Sequence, residues 1–297
     1  MFDGLSAFPL TPVTEHGVDE AAYARLIERL VAARVDSIGA LGSTGSYAYL
    51  TREERRRVAT LAVDHADGIP VMVGIGSTST REVLTLADDA QKAGASAVLL
   101  APVSYQRLKD EEVLGLFETV TRHLSVPLCV YDNPGTTRFD FSDTLHARIA
   151  RLPNVRSIKI PGVPADPIAA RRRVDNLRQH LPAEVTIGIS GDACAAQGML
   201  AGCRAWYSVI GGLFPVTALE LTRAALSGDT QESMRLSERL APLWALFDKA
   251  GGSLRVVAAA AEQLGLVQTP CLPAPLRAVE GELRDEVAVL IDTLDLR

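Results

Sequence analysis

Short apolar runs rich in β-branched residues recur through the first two thirds of the chain, at residues 5–9, 35–41, 71–75, 97–102, 128–131, 155–160, 185–189 and 206–210. The stretches between them follow a different period. Over residues 20–34, for example, Tyr23, Leu26, Ile27, Leu30 and Val31 fall on one face of a helix. Near-continuous apolar runs predict strands covered on both faces, and the three-to-four spacing predicts amphipathic helices. Thr51-x-x-Glu54 and Ser79-x-x-Glu82 read as capping boxes that open two of these helices. Each follows a glycine-containing loop at the carboxyl end of a strand, the order expected of a βα unit. Eight such repeats predict an α/β fold, a closed parallel (β/α)8 TIM barrel. A doubly wound sheet is the competing arrangement, but no GxGxxG follows the first strand. After Gly212 the strand pattern stops, and helices are predicted around 215–226, 232–250, 254–264 and 283–294. The reading is therefore a barrel over residues 1–226 that carries the active site, and a C-terminal helical extension over residues 227–297.

Composition narrows the function classes. The chain has 297 residues, 47% hydrophobic and 22% charged, enough to build one large core. A net charge of −6 argues against nucleic acid or an anionic membrane as the main partner. No apolar run approaches the roughly 20 residues that span a bilayer. The start, Met1 to Leu5, lacks the basic-then-apolar order of a signal peptide, so the expected location is cytoplasmic. Cys129, Cys194, Cys203 and Cys271 form no CxxC pair and are expected as buried free thiols. The five histidines show no metal-ligand spacing, and neither a metal nor another cofactor is expected.

The most pointed chemical signal is Lys159. Only four of the 30 basic residues are lysines, Lys92, Lys109, Lys159 and Lys249, so this chain nearly always uses arginine where charge alone is needed. Arginine stays protonated in proteins, whereas a desolvated lysine can lose its proton and act as a nucleophile. Lys159 lies in a run read as a strand, where alternation puts it on one face with Ser157 while Ile158 and Ile160 take the other. A lysine at a strand end that reaches water is the plainer reading of that segment.

In a barrel, chemistry gathers where strands end and βα loops begin. At those positions stand Gly42-Ser43-Thr44-Gly45-Ser46-Tyr47 after the second strand and Tyr131-Asp132-Asn133-Pro134-Gly135-Thr136-Thr137 after the fifth. Lys159 is on the sixth, Ser190-Gly191-Asp192 follows the seventh, and Gly211-Gly212 follows the eighth. Each is ordinary turn chemistry by itself. Their gathering on one rim with a strand lysine is not.

These residues resemble the dihydrodipicolinate synthase/N-acetylneuraminate lyase family of class I, pyruvate-type aldolases, from about residue 5 to about residue 226. Gly42-Ser43-Thr44-Gly45 is similar to the family's GTTGE loop, Tyr131 to Gly135 to its YNxPx stretch, and Ile158-Lys159 to its lysine strand. The resemblance implies that Lys159 forms a Schiff base with the keto carbon of pyruvate or another 2-oxo acid. It implies Tyr131 as proton shuttle and Ser43 and Thr44 as carboxylate ligands, with Thr44 also in the relay to Tyr131. Tyr207 falls at a strand-eight position near the keto acid that is usually small or aliphatic. The implied partners are a small 2-oxo acid and an aldehyde, and the implied assembly is a homo-oligomer, tetramer or dimer. Four departures mark a divergent member. Ser46 replaces the GTTGE glutamate, and Thr136 replaces the arginine that holds the carboxylate of aspartate semialdehyde in the synthases, with Arg138 two residues on. Val103-Ser104 replace paired tyrosines, one of which crosses a subunit interface, with Tyr105 one place later; the fourth departure is Tyr207. Two other functions compete: a non-catalytic keto-acid-binding member of the fold, and a TIM barrel that binds a phosphate through the glycines of strands seven and eight.

Overall fold

The computed structural model describes residues 1–297. Eight of its ten strands are parallel and close into a barrel: β1 (Gly4–Ala7), β4 (Ser37–Ala40), β5 (Val71–Gly74), β6 (Ala97–Leu100), β7 (Leu128–Tyr131), β8 (Val155–Ile160), β9 (Thr186–Ile189) and β10 (Ala205–Ser208). The other two, β2 (Val13–Thr14) and β3 (Gly17–Val18), form a small antiparallel ribbon. Barrel strands pair in chain order, and β1 closes the ring between β10 and β4. The eight predicted strands are thus all present. Most are shorter than their apolar runs, because the last residues of a run turn out into the loop above the barrel.

Alternation sorts the side chains of each strand into two cores. Outward residues such as Ile38, Val73, Val98, Val130, Ile158 and Ile187 join a core of 79 buried residues between the barrel wall and the surrounding helices. Inward residues form a separate cluster of nine, which includes Phe8, Met72, Leu99, Cys129, Tyr131 and Tyr207. Two glycines make that interior fit. A Cβ at Gly39 would lie 2.4 Å from the Phe8 ring, and one at Gly188 would lie 2.3 Å from the Tyr207 ring. Each large inward ring therefore occupies the space of a missing side chain on the neighbouring strand.

Local signals set most helix ends. Asp19 caps the helix Glu20–Ala33 by accepting from the Ala22 amide at 3.0 Å. Thr51 and Glu54 form the expected reciprocal box at the start of Arg52–Asp64. Ser79 caps Thr80–Lys92, but its Glu82 does not reciprocate; that carboxylate accepts instead from Ser77 Oγ at 2.6 Å. The helix predicted over 232–250 is two helices, Thr230–Arg239 and Ala241–Lys249. Pro242 explains the break, since it has no N–H to continue the first helix yet suits the first turn of a new one. Ala241–Lys249 then packs against the short turn Asp192–Cys194 above β9, so the C-terminal helices border the same rim as the strand-end loops. Of the four cysteines, all free, Cys194 is half-buried and the other three are buried.

Candidate active site

Lys159 stands near the carboxyl end of β8, in register with Tyr131 on β7 and Gly188 on β9. It is 4% exposed, and as alternation predicted it shares the barrel interior with Ser157. Its Nζ lies 4.0 Å from the centroid of the Phe8 ring, 4.2 Å from that of Tyr131 and 5.5 Å from that of Tyr207. The amine is held in an aromatic enclosure whose rings exclude water and offer their negative faces to a cation. Phe8 is the member sequence reasoning missed. It follows the first strand, and its nearness to Lys159 on β8 depends on ring closure, which no local pattern encodes.

Tyr131, in register with Lys159 on the neighbouring strand, brings a hydroxyl to the same site. Asn133 Nδ2 donates to Tyr131 Oη at 3.1 Å, and Ser43 Oγ lies 3.4 Å from the same oxygen. With one acceptor site filled by Asn133, the phenolic proton is free for Ser43 or for a substrate oxygen. Ser43 is half-buried and Thr44 buried, in a loop bent twice through the left-handed region at Leu41 (φ 56°) and Ser46 (φ 53°). Left-handed backbone at a leucine is costly and is held only where surrounding structure enforces it, as at functional loops. The fold thus brings Lys159, Tyr131 and Ser43 together, with Thr44 beside them in the loop.

Tyr207 is placed differently. Its ring flanks Lys159, but its hydroxyl is 2.6 Å from Ser157 Oγ and accepts from Cys129 Sγ at 3.5 Å, below the lysine. Burial pushes this phenol well above the ordinary tyrosine range. Tyr207 offers the site a wall and not a hydroxyl. Asp192 likewise faces inward to the scaffold. It accepts from Trp206 Nε1 at 2.9 Å and from the amides of Val209 and Ile210 at 3.1 and 2.8 Å, tying the β9 and β10 loops together. Thr136 and Arg138 are exposed on and just after the short helix Pro134–Thr137, and Tyr105 is 94% exposed. No group of three or more His, Cys, Asp or Glu side chains converges as metal ligands. No helix is long and apolar enough to cross a membrane. A depression of about 750 Å³ between helices Arg52–Asp64 and Thr80–Lys92 is lined almost wholly by polar side chains and contains none of these residues.

Behind Tyr131 lies a buried acid and base that the sequence did not announce. Asp132 Oδ2 is 3.4 Å from Nε2 of His146, whose ring is fully buried and stacked on Phe141 at 4.9 Å. Burial pushes Asp132 up to about 7 and His146 down to about 4. A raised carboxyl keeps its proton in the folded chain while the unfolded chain releases it, so stability falls as pH climbs from near 4 to 7. The lowered imidazole acts oppositely, and its contribution is lost as pH falls from 6.5 towards 4. We expect Asp132→Asn to melt progressively higher than the parent as pH rises from 5 to 8, by an amount on the order of a few kcal/mol at the top of the range. A variant that melts lower at pH 8 would mean that the two groups form an ion pair instead.

Comparison with known proteins identifies the family. The model of the dihydrodipicolinate synthetase family matches residues 1–294. A 4-hydroxy-tetrahydrodipicolinate synthase from Phenylobacterium zucineum is 33% identical over 293 residues, 96% of this chain and 97% of that protein. The crystal structure of a dihydrodipicolinate synthase from Agrobacterium tumefaciens shares 48% identity and superposes with a TM-score of 0.94, covering 99% of this chain and 98% of that one. A chloride-inhibited dihydrodipicolinate synthase from Acinetobacter baumannii, complexed with pyruvate, superposes at 0.89 with 26% identity and complete coverage of both chains. With a closed eight-stranded barrel, an enclosed strand lysine and a match along nearly its whole length, the chain belongs to the dihydrodipicolinate synthetase family and is an enzyme of the class I aldolase type.

Proposed function

We propose that Lys159 forms a Schiff base with pyruvate or another 2-oxo acid, and that the enzyme makes or cleaves a carbon–carbon bond at the carbon adjacent to the imine carbon. The enclosure of Lys159 Nζ by Phe8, Tyr131 and Tyr207 carries this reading, with the Tyr131 hydroxyl and Ser43 at its edge. A relative of the same fold complexed with pyruvate supports the choice of keto acid. The amine adds to the keto carbon and water leaves. The protonated imine then draws electrons from the adjacent carbon, which gives up a proton or a carbon–carbon bond to become an enamine. Tyr131 moves the protons of both steps, and Ser43 and Thr44 hold the carboxylate with hydroxyls and loop amides. On the family resemblance we take the enzyme to be cytoplasmic and a homotetramer or dimer.

The acceptor side follows from Thr136. A carboxylate brought to this mouth meets an exposed threonine at the position where the synthases have arginine. A hydrogen bond to a charged group is worth about 1.5–3 kcal/mol, so its loss lowers kcat/KM for aspartate semialdehyde by roughly 10- to 100-fold. Of the two threonines here, Thr137 is buried and its hydroxyl donates to the Asn133 carbonyl at 3.0 Å, so the exposed Thr136 is the one that suits a neutral or hydroxylated acceptor. The test is a panel: 2-oxo-3-deoxy sugar acids, N-acetylneuraminate and 4-hydroxy-2-oxoglutarate assayed for pyruvate release, and aspartate semialdehyde with pyruvate assayed for condensation. We expect turnover with a hydroxylated substrate, poor condensation of aspartate semialdehyde, and partial recovery of the latter in Thr136→Arg. Condensation at ordinary enzyme efficiency in the parent would overturn the acceptor argument. No pyruvate made or consumed with any member would overturn the lyase reading itself.

A further inference from the structure

Asn133 directs its side chain to Tyr131 and not to the turn that it begins. It precedes Pro134 at the start of the short helix Pro134–Thr137, a position where an asparagine side-chain oxygen ordinarily accepts from an amide of the first turn. Here it caps nothing. The backbone carbonyl of the same residue does that work, accepting from the amides of Thr136 and Thr137 at 3.1 and 3.0 Å and from Thr137 Oγ1 at 3.0 Å. The backbone is fixed by these bonds and by the proline that follows, which restricts the residue before it. The half-buried side chain is left to turn back to the last residue of β7, where its Nδ2 donates to Tyr131 Oη at 3.1 Å.

The direction of this bond matters. An amide nitrogen donates and cannot accept, so Tyr131 Oη receives it on a lone pair and must aim its own proton elsewhere. The chain makes one other hydrogen bond to that oxygen, from Ser43 Oγ at 3.4 Å, and a serine hydroxyl can either give or take a proton. The phenol therefore stands between a partner that exchanges protons and one that does not. Asp132, the intervening residue, takes no part in this, since its carboxyl is turned to His146.

We propose that Asn133 is a positioning residue for the proton transfers of Tyr131: its N–H fixes which way the phenolic proton points and steadies the phenolate left when that proton is given up. This rests on the Schiff-base reading above. When the Lys159 amine has added to the keto carbon, the carbon–oxygen bond breaks, the departing hydroxyl takes the Tyr131 proton and leaves as water, and a protonated imine faces a phenolate. The phenolate then takes a proton from the carbon adjacent to the imine carbon, which gives the neutral enamine and restores the phenol. Between the two transfers the negative charge rests on an oxygen that accepts from Asn133. A preset donor to a developing oxyanion favours that state without having to reorganise for it.

Exchange of the methyl protons of pyruvate for deuterium, followed by NMR in deuterated buffer, reads these transfers without any acceptor. Asn133→Ala removes the donor, and because the side chain caps no amide the variant should melt within about 2 °C of the parent. We expect it to exchange about tenfold more slowly or worse, by the same factor at every pH, while borohydride trapping keeps the parent's dependence on pyruvate concentration. Asn133→Asp is the sharper probe. Its carboxylate would accept from Tyr131, draw the proton away from the substrate and oppose the phenolate, whereas its protonated form is again a donor. The ratio of its exchange rate to the parent's should therefore rise about threefold or more between pH 8 and pH 5, as the carboxyl gains its proton. Exchange in Asn133→Ala within about twofold of the parent overturns the proposal. So does an Asn133→Asp ratio that does not change with pH, or a loss in both variants that tracks a lower melting temperature and weaker pyruvate binding. A parent that traps pyruvate but exchanges none of its protons overturns the proposal and leaves the imine standing; a parent that does neither removes the Schiff-base reading, and this proposal with it.

Discussion

Reduction with borohydride in the presence of pyruvate adds one covalent adduct per chain, on the peptide that contains Lys159, and Lys159→Arg gains none. The expectation comes from placement. Lys92 and Lys249 are paired with Asp88 and Glu286 at 2.6 and 2.8 Å, and Lys109 is exposed at a helix start. Only Lys159 combines burial at the barrel mouth with an aromatic enclosure that keeps water from a forming imine. Arginine preserves the charge and its attraction to the rings but cannot become a free amine, so the variant separates nucleophile from cation. Without the covalent route, turnover should fall by about a thousandfold or more, equivalent to ~4 kcal/mol of transition-state stabilisation. Lys159→Met, which removes the charge while keeping an unbranched chain, guards against the bulk of arginine disturbing Phe8. Mass spectrometry of the digested protein decides the matter. An adduct on Lys92, Lys109 or Lys249 would refute the assignment, as would a Lys159→Met enzyme that still turns over.

The barrel was legible because its strands carry near-continuous apolar runs and its helices a different period, so neither could be taken for the other. The direction of Lys159 was legible too, since alternation along residues 155–160 leaves a lysine no choice of face once the isoleucines are buried outward. What escaped depends on contacts between distant strands. Phe8 meets Lys159 only because β1 closes the ring, and Gly39 makes room for it from a third strand. The Tyr207 hydroxyl turns down to Ser157 and Cys129 because those residues lie in the layer below the lysine, a relation fixed by stagger and not by spacing in sequence. Residues 232–250 show a competition of signals. One apolar stripe crosses the junction at Leu240, but Pro242 decides the backbone. The Asp132–His146 pair was hidden for a further reason: a carboxylate in a turn sequence reads as solvated, and its burial follows from Phe141 stacking on a histidine four residues before the end of the next helix.

Tyr131→Phe should lower kcat by about a hundredfold or more, the usual size for the loss of a positioned acid–base group. The substitution leaves the ring at 4.2 Å from Lys159 Nζ and removes only the oxygen that accepts from Asn133 and meets Ser43. Pyruvate binding through the Ser43-Thr44 loop should therefore survive, with KM changed far less than kcat, while imine trapping becomes slow but remains saturable. Thr44→Val provides the contrast. A buried hydroxyl that both touches the carboxylate and relays a proton would, when replaced by a methyl, weaken binding and turnover together. Steady-state kinetics beside the time course of trapping separate the two patterns. If Tyr131→Phe left kcat and the trapping rate at parent values, the Tyr131 hydroxyl would be no more than a turn-forming partner of Asn133, and the proton of the imine step would have to come from another group or from water.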